Sequence, residues 1–188
     1  HGVYRPAAAA RMQALCDASG AVTACQFQVA TADSEVTAIT GADTAQSTQA
    51  RWQARLFGQY HKGSGELEGL ADTPYRLGSW QVDNRKVPSI LRTGAWRSIA
   101  HSVNAFFVES FVDELAKHAG VDAANWRLQH LPGDDALKPV IMRALQLSAW
   151  PGAGENTALG LAAHRCFGTS VALVAKVQGD ATKWRVTD

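Results

Sequence analysis

The stretch that most constrains this chain runs from Val87 to Leu128, where a glycine-bearing loop leads directly into an amphipathic segment marked at both ends. Val103, Phe106, Phe107, Phe111 and Leu115 recur at three- and four-residue steps, the spacing that gathers side chains on one face of an α-helix. Glu109, Asp113, Glu114 and Lys117 fall elsewhere around it. Ser102 is suited to accept hydrogen bonds from the free N–H groups of a first turn, and Gly120 to take the left-handed conformation that ends a helix. The spacing therefore predicts a helix over 102–118 with Phe107, Phe111 and Leu115 buried. Just ahead of it, Thr93-Gly94-Ala95-Trp96-Arg97-Ser98 combines main-chain amides, a permanent cation and a large aromatic near a helix N-terminus, a setting that suits an anionic ligand. On residue types alone, an ordinary loop in front of a core helix accounts for the same pattern.

The flanks read as strands and shorter helices. Ala10–Asp17 and Ala21–Thr31 alternate around Ala18-Ser19-Gly20 and predict a β-hairpin, with Met12, Ala14 and Cys16 on one face. For the second strand, the set Val22, Ala24, Gln26, Gln28 and the opposite set with Phe27 and Val29 are both candidates for the buried face. From Asp33 to Gln59 the composition turns to Ala, Thr, Gln and Ser, with a short helix expected near Gln49–Phe57. Tyr75–Val82 is rich in strand formers and carries a glycine that suggests a bulge, and Asp83-Asn84-Arg85-Lys86 reads as a turn. Asp122 is placed to cap a second helix through Leu131, and Pro139 to open a third through Ala149. Val140, Met142, Ala144, Leu145 and Leu147 do not share one face of that third helix. Leu159–Val177 is one long run of small and apolar residues, and Gln178-Gly179-Asp180 separates it from a strand at Thr182–Val186, which implies another hairpin. The expected fold class is α+β, with two β-hairpins contributing to a mixed sheet covered by about three helices.

Composition narrows the functional classes. Eighteen basic and seventeen acidic residues leave a formal charge of +1, which provides no electrostatic case for nucleic acid or an anionic membrane. No apolar run approaches the ~20 residues of a membrane-spanning helix. Cys16, Cys25 and Cys166 are odd in number and lack C-x-x-C spacing, so lone buried thiols are expected rather than a disulfide framework or zinc site. His1, His61, His101, His118, His130 and His164 show no i, i+4 pairing, which argues against a metal held by protein side chains. His61-Lys62-Gly63-Ser64-Gly65 lacks the order of a phosphate-binding loop, and the His164/Cys166 pair reads as a strand thiol beside a hydrogen-bonded histidine rather than a nucleophile and base. Glu66, Glu68 and Glu155 serve as acid or base only if burial raises a pKa.

The residues from Leu91 to Leu128, LRTGAWRSIAHSVNAFFVESFVDELAKHAGVDAANWRL, resemble the segment of the large, molybdenum-binding subunit of molybdenum hydroxylases that carries an R-G-x-G-x-P-Q-type loop. That family includes xanthine dehydrogenase and aldehyde oxidase. With W-R-S in place of R-G-F-G, the variant here is similar to the isoquinoline 1-oxidoreductase beta-subunit branch. HGVYRPAAAAR, LCDASGAV, SAWP and LGLAAHRCFGTSVALVAKV agree in order, so the resemblance covers most of the chain, strongly over 87–131 and weakly over about 33–73. It implies oxidative hydroxylation of aldehydes or N-heterocycles with oxygen drawn from water. The metal would be held by molybdopterin, in bacteria commonly the cytosine dinucleotide form, and electrons would leave through a partner subunit with two-iron, two-sulfur clusters.

Residue by residue, the resemblance assigns Trp96, Arg97 and Ser98 to the cofactor-facing loop and Ile99 to the substrate pocket, where relatives carry an aromatic. It assigns no catalytic and no metal-ligating residue to this chain. Gly152-Ala153-Gly154-Glu155 looks like the family's Gly-Glu pair, but it lies at a helix-to-strand junction, ahead of where the family's glutamate belongs. The chain starts at His1 without a Met and stops at Asp188 inside an expected strand, so it reads as a single domain or a domain fragment of a molybdopterin-binding subunit. Alone it is expected to bind no cofactor and to be inactive. The competing reading is a non-catalytic structural or protein-interaction domain with the same fold.

Overall fold

The computed structural model describes residues 4–32, 67–94, 96–152, 154–180 and 182–187. The expected helix near Gln49–Phe57, the His61–Gly65 loop and Glu66 lie outside the described residues. The fold class is α+β, as expected: among the described residues six strands form two three-stranded sheets, accompanied by three helices. The chain divides into two compact units, one of His1–Asp72 with Leu77–Phe107 and the other of Thr73–Arg76 with Val108–Asp188.

The first unit carries the sheet β1-β2-β3. β1 (Ala8–Cys16) and β2 (Val22–Ala32) pair antiparallel as the expected hairpin, and β3 (Ser79–Val87) pairs parallel to β2, so this sheet is the mixed one. Gly20 at the hairpin tip has φ +83°, a conformation open to glycine without strain. The Asp17 carboxylate secures the tip by accepting from the Ser19 and Ala21 amides and the Ser19 hydroxyl. Those bonds, the Ser19 hydroxyl first, hold its pKa below the usual carboxylate range. Cys25, Phe27, Val29 and Thr31 form the buried face of β2, which resolves the ambiguity left by the sequence. Phe27 meets Trp80 edge-on at 5.7 Å.

Two expectations about β3 fail. Gly78 makes no bulge; it precedes the strand with φ +71°, and a Cβ there would lie 2.2 Å from the Thr23 carbonyl oxygen, so close backbone approach requires glycine. Asp83-Asn84-Arg85-Lys86 is not a turn but pairs with Gln28–Thr31. β3 is an edge strand with mostly exposed side chains, a position where charged residues are favoured.

Helix α1 (His101–His118) ends as its sequence predicts. Gly120 has φ +66°, and the bonds Val121 N–H to Ala116 O and Gly120 N–H to Lys117 O close a Schellman motif. The start and the buried stripe differ from expectation. Ser102 lies within the first turn and donates to Ile99 O rather than capping. In the unit that contains Val108–Asp188, Val108, Phe111, Val112, Leu115 and Ala116 are buried along with Glu109; Phe106 is 66% exposed and Phe107 only half-buried.

α2 (Ala123–His130) is capped by Asp122, whose carboxylate accepts from the Ala124 and Asn125 amides at 3.0 Å. α3 (Leu137–Ser148) starts two residues before the expected proline and buries Leu137 and Ile141 completely. Met142 and Leu147 are exposed, so Ile141 is the anchor that the apolar count overlooked. Ile141→Val should lower stability by about 1 kcal/mol, whereas Leu147→Ala should leave the denaturation midpoint almost unchanged. Equal costs would place α3 in a different orientation.

The second sheet is antiparallel, with order β4 (Thr157–Cys166), β5 (Thr169–Gly179) and β6 (Trp184–Val186). The apparent single run Leu159–Val177 is therefore two strands, joined at Phe167 and Gly168 with φ +49° and +80°. Two consecutive positive φ values are the mark of a type I′ hairpin turn. Asp180 braces the β5–β6 turn by accepting from the Thr182 and Lys183 amides, repeating the Asp17 device.

Candidate functional site

The candidate loop begins after Val87 and is tied down where it passes Thr93. Tyr4 and Thr93 form a parallel bridge, with Tyr4 N–H donating to Arg92 O at 2.9 Å and Gly94 N–H to Tyr4 O at 3.0 Å. Thr93 is buried, whereas Ile90 and Leu91 just before it are exposed. Trp96, Arg97, Ser98 and Ile99 follow as one tight turn, closed by Ile99 N–H to Trp96 O at 2.9 Å. A second turn overlaps it, His101 N–H to Ser98 O at 3.0 Å, and delivers the chain into α1.

These two turns reverse the backbone's hand. Ser98 has φ +71° and Ile99 φ +45°. L-residues pay about 1–2 kcal/mol each for the left-handed region, and a β-branched isoleucine there is an outlier. Consecutive left-handed residues persist only where the surroundings hold them, and such strain clusters at functional turns. The turn thus brings together all four residues singled out in the sequence. Trp96 is 51% exposed, Ile99 is 38% exposed, and the Arg97 side chain is exposed between them.

Of the main-chain amides between Thr93 and Ser98, that of Gly94 donates to Tyr4 O, and the Ile99 and His101 amides that follow are bonded to carbonyls within the two turns. What the loop presents is an aromatic ring and a guanidinium; the Arg97 and Ser98 carbonyls accept from the Ser98 hydroxyl and the His101 amide. Concave surfaces of about 830 and 560 Å³ lie on the first sheet and one of about 650 Å³ beside α3; none of these three is lined by residues 96–99.

Titratable groups with shifted pKa values gather elsewhere. Glu109, assigned by the sequence to a polar side of α1, is buried. Its Oε1 accepts from the Tyr75 hydroxyl at 2.9 Å, and its Oε2 from Arg127 Nε at 3.0 Å and the Ala163 amide at 2.8 Å. Arg127 also donates to Asp113 at 2.7 Å and to the Ala123 and Glu109 carbonyls. Burial pushes the Glu109 carboxyl up, and Arg127 opposes that shift. Burial, with Glu109 beside it, also drives the Tyr75 hydroxyl well above the ordinary phenol range. Every named acceptor and donor is engaged internally, so the cluster joins α1, α2 and β4 rather than acting on a ligand. Nothing in the apolar spacing of α1 marked Glu109, and Arg127 in α2 carried no signal of its own.

The other candidates resolve as follows. Glu155 is exposed in the turn before β4. Glu68 lies 3.9 Å from His101, too far for a hydrogen bond. Cys25 is buried and its thiol is pushed up to about 11 by burial, with Cys16 adding to the shift. Among the described residues no group of three His, Cys, Asp or Glu side chains forms a metal site, and no helix is long and apolar enough to cross a membrane.

No protein-family model matches the chain, and no curated protein matches it in sequence. Solved structures do share the fold. The aldehyde oxidoreductase from Desulfovibrio desulfuricans superposes with a TM-score of 0.57 at 15% identity, covering 85% of this chain and 18% of that one. The aldehyde oxidoreductase from Desulfovibrio gigas gives 0.56 at 16% identity, again with 85% and 18% covered. Quinoline 2-oxidoreductase from Pseudomonas putida 86 gives 0.58 at 12%, with 86% and 22% covered. The chain therefore has the fold of a segment of these oxidoreductases and spans about a fifth of their length.

Proposed function

We propose that this chain is part of the molybdopterin-binding subunit of an oxidoreductase that hydroxylates aldehydes or N-heterocycles with oxygen derived from water. The observation that carries the reading is a convergence. Residues 87–131 resemble the molybdenum hydroxylases in sequence, and 85% of the chain follows the backbone of aldehyde oxidoreductases. The isoquinoline 1-oxidoreductase-like branch is the one favoured by W-R-S at 96–98.

In this reading Trp96, Arg97 and Ser98 face the cofactor and Ile99 lines the substrate pocket. The turn fits such a group: a metal held by its pterin needs no protein side chain as ligand, and the turn offers an exposed ring and a fixed cation. When bound, the cofactor supplies the two-electron redox chemistry. Arg97 holds positive charge beside an anionic cofactor, Trp96 excludes water from it, and Ile99 gives the substrate an aliphatic wall without ring stacking. The catalytic glutamate and the remaining cofactor contacts come from elsewhere in the subunit, and a two-iron, two-sulfur partner subunit takes the electrons. The cytosine dinucleotide form of molybdopterin is the expected cofactor.

Elemental analysis tests the reading. The complete protein should purify with stoichiometric molybdenum and reduce a dye in the presence of an aldehyde or N-heterocycle, and the 188-residue chain alone should do neither. A complete protein without molybdenum or activity would make the chain a non-catalytic domain of the same fold.

A further inference from the structure

We propose that Arg5 is the positioning residue of the Trp96–Ile99 turn, holding the cofactor-facing loop in its left-handed conformation from outside. Its guanidinium carbon sits 5.7 Å from the centre of the Trp96 ring, within cation–π range, and its Nη1 donates to the Ser102 hydroxyl. One side chain thus grips both flanks of the turn, residue 96 before it and residue 102 after it. Ser102 donates in turn to Ile99 O, which extends the grip to one of the two left-handed residues. The neighbouring main chain acts in the same sense, since Tyr4 is bridged to Thr93 through the Arg92 and Gly94 bonds.

The arrangement answers a need that the turn itself creates. Ser98 and Ile99 are both left-handed without being glycine, and hydrogen bonds inside the turn do not remove that penalty. Held at its flanks, the turn keeps this shape; released, it relaxes toward right-handed backbone and carries Trp96, Arg97 and Ile99 with it. Arginine suits the task better than lysine, because a planar guanidinium stacks on a ring and donates at its edge simultaneously.

The inference rests on the proposed role of the turn, so the test separates the two. Amide hydrogen exchange at Ile99 and His101 in the chain reads the turn's integrity without any cofactor. Arg5→Ala should speed both by about tenfold or more, the free-energy equivalent of losing the left-handed arrangement. Arg5→Lys should restore part of the protection through Ser102 alone, and Ser102→Ala should give an intermediate effect. In the complete subunit, Arg5→Ala should lower turnover per bound molybdenum while leaving molybdenum content intact, with Arg5→Lys recovering part of it. Unchanged exchange at Ile99 and His101 in both Arg5→Ala and Ser102→Ala overturns the proposal, whatever happens to turnover. Faster exchange with normal turnover upholds Arg5 as the brace and removes the turn from the cofactor site.

Discussion

Arg127→Ala should destabilise the protein by about 3–5 kcal/mol, the largest effect expected of any single substitution outside the apolar core. The Arg127 side chain is fully buried and Glu109 nearly so. Removing the guanidinium strips Glu109 Oε2 of its charged donor and leaves a carboxylate in low dielectric with only the Tyr75 hydroxyl and the Ala163 amide. It also frees the Ala123 and Glu109 carbonyls that Arg127 satisfies. Asp113 is a useful contrast, because it shares the same guanidinium at 2.7 Å but its side chain is 49% exposed. Solvent screens that pair, so Asp113→Ala should cost about 1 kcal/mol or less. Urea midpoints of the two variants decide it, and similar small shifts would mean that water reaches the cluster. Replacing Glu109 and Arg127 together with apolar residues of similar volume should cost less than Arg127→Ala alone, since no charge is then left unpaired.

The helices were legible in the sequence because their boundaries carry local signals. Asp122 and Gly120 act through bonds to residues within a turn or two of them, and both do in the structure what their chemistry predicts. The face of α1 was not legible, for a physical reason. Its buried residues include His101, Asn104 and Glu109; Glu109 accepts from partners far away in sequence, Tyr75 and Ala163, and the Asn104 amide donates to Glu68 O. A count of apolar residues rotates the stripe toward Phe106, which is exposed.

The strands failed differently. Asp83–Lys86 looked like a turn because strand propensity there is overridden by parallel pairing with β2, a contact no local window contains. Over Leu159–Val177 the alternation of Val171, Leu173 and Ala175 was legible but the break between two strands was not, because Phe167 hides a conformation usually advertised by Asn or Gly. The candidate site was legible as residue types at 96–99 but not as a strained conformation. Nothing in W-R-S-I announces two left-handed residues, and the side chain that braces them, Arg5, lies more than ninety residues away.

Arg97→Ala in the complete enzyme should reduce turnover on the order of a hundredfold, the scale of loss for a reacting group misplaced by about 1 Å. Arg97 is the second residue of the turn closed by Trp96 O and Ile99 N–H, so its guanidinium sits on the turn proposed to face the cofactor. Molybdenum and pterin content should stay nearly intact, because in the proposed reading the remaining cofactor contacts come from outside this turn. Arg92 supplies the control: it precedes the turn, its side chain is exposed, and the carbonyl that accepts from Tyr4 survives replacement by alanine. The decisive measurement is aldehyde-dependent dye reduction per bound molybdenum in the Arg97→Ala and Arg92→Ala enzymes, side by side. A loss of about a hundredfold in the first with near-normal turnover in the second is the predicted result. Equal, near-normal turnover in both would make Thr93–Ser98 a surface turn and contradict the assignment of Trp96, Arg97, Ser98 and Ile99.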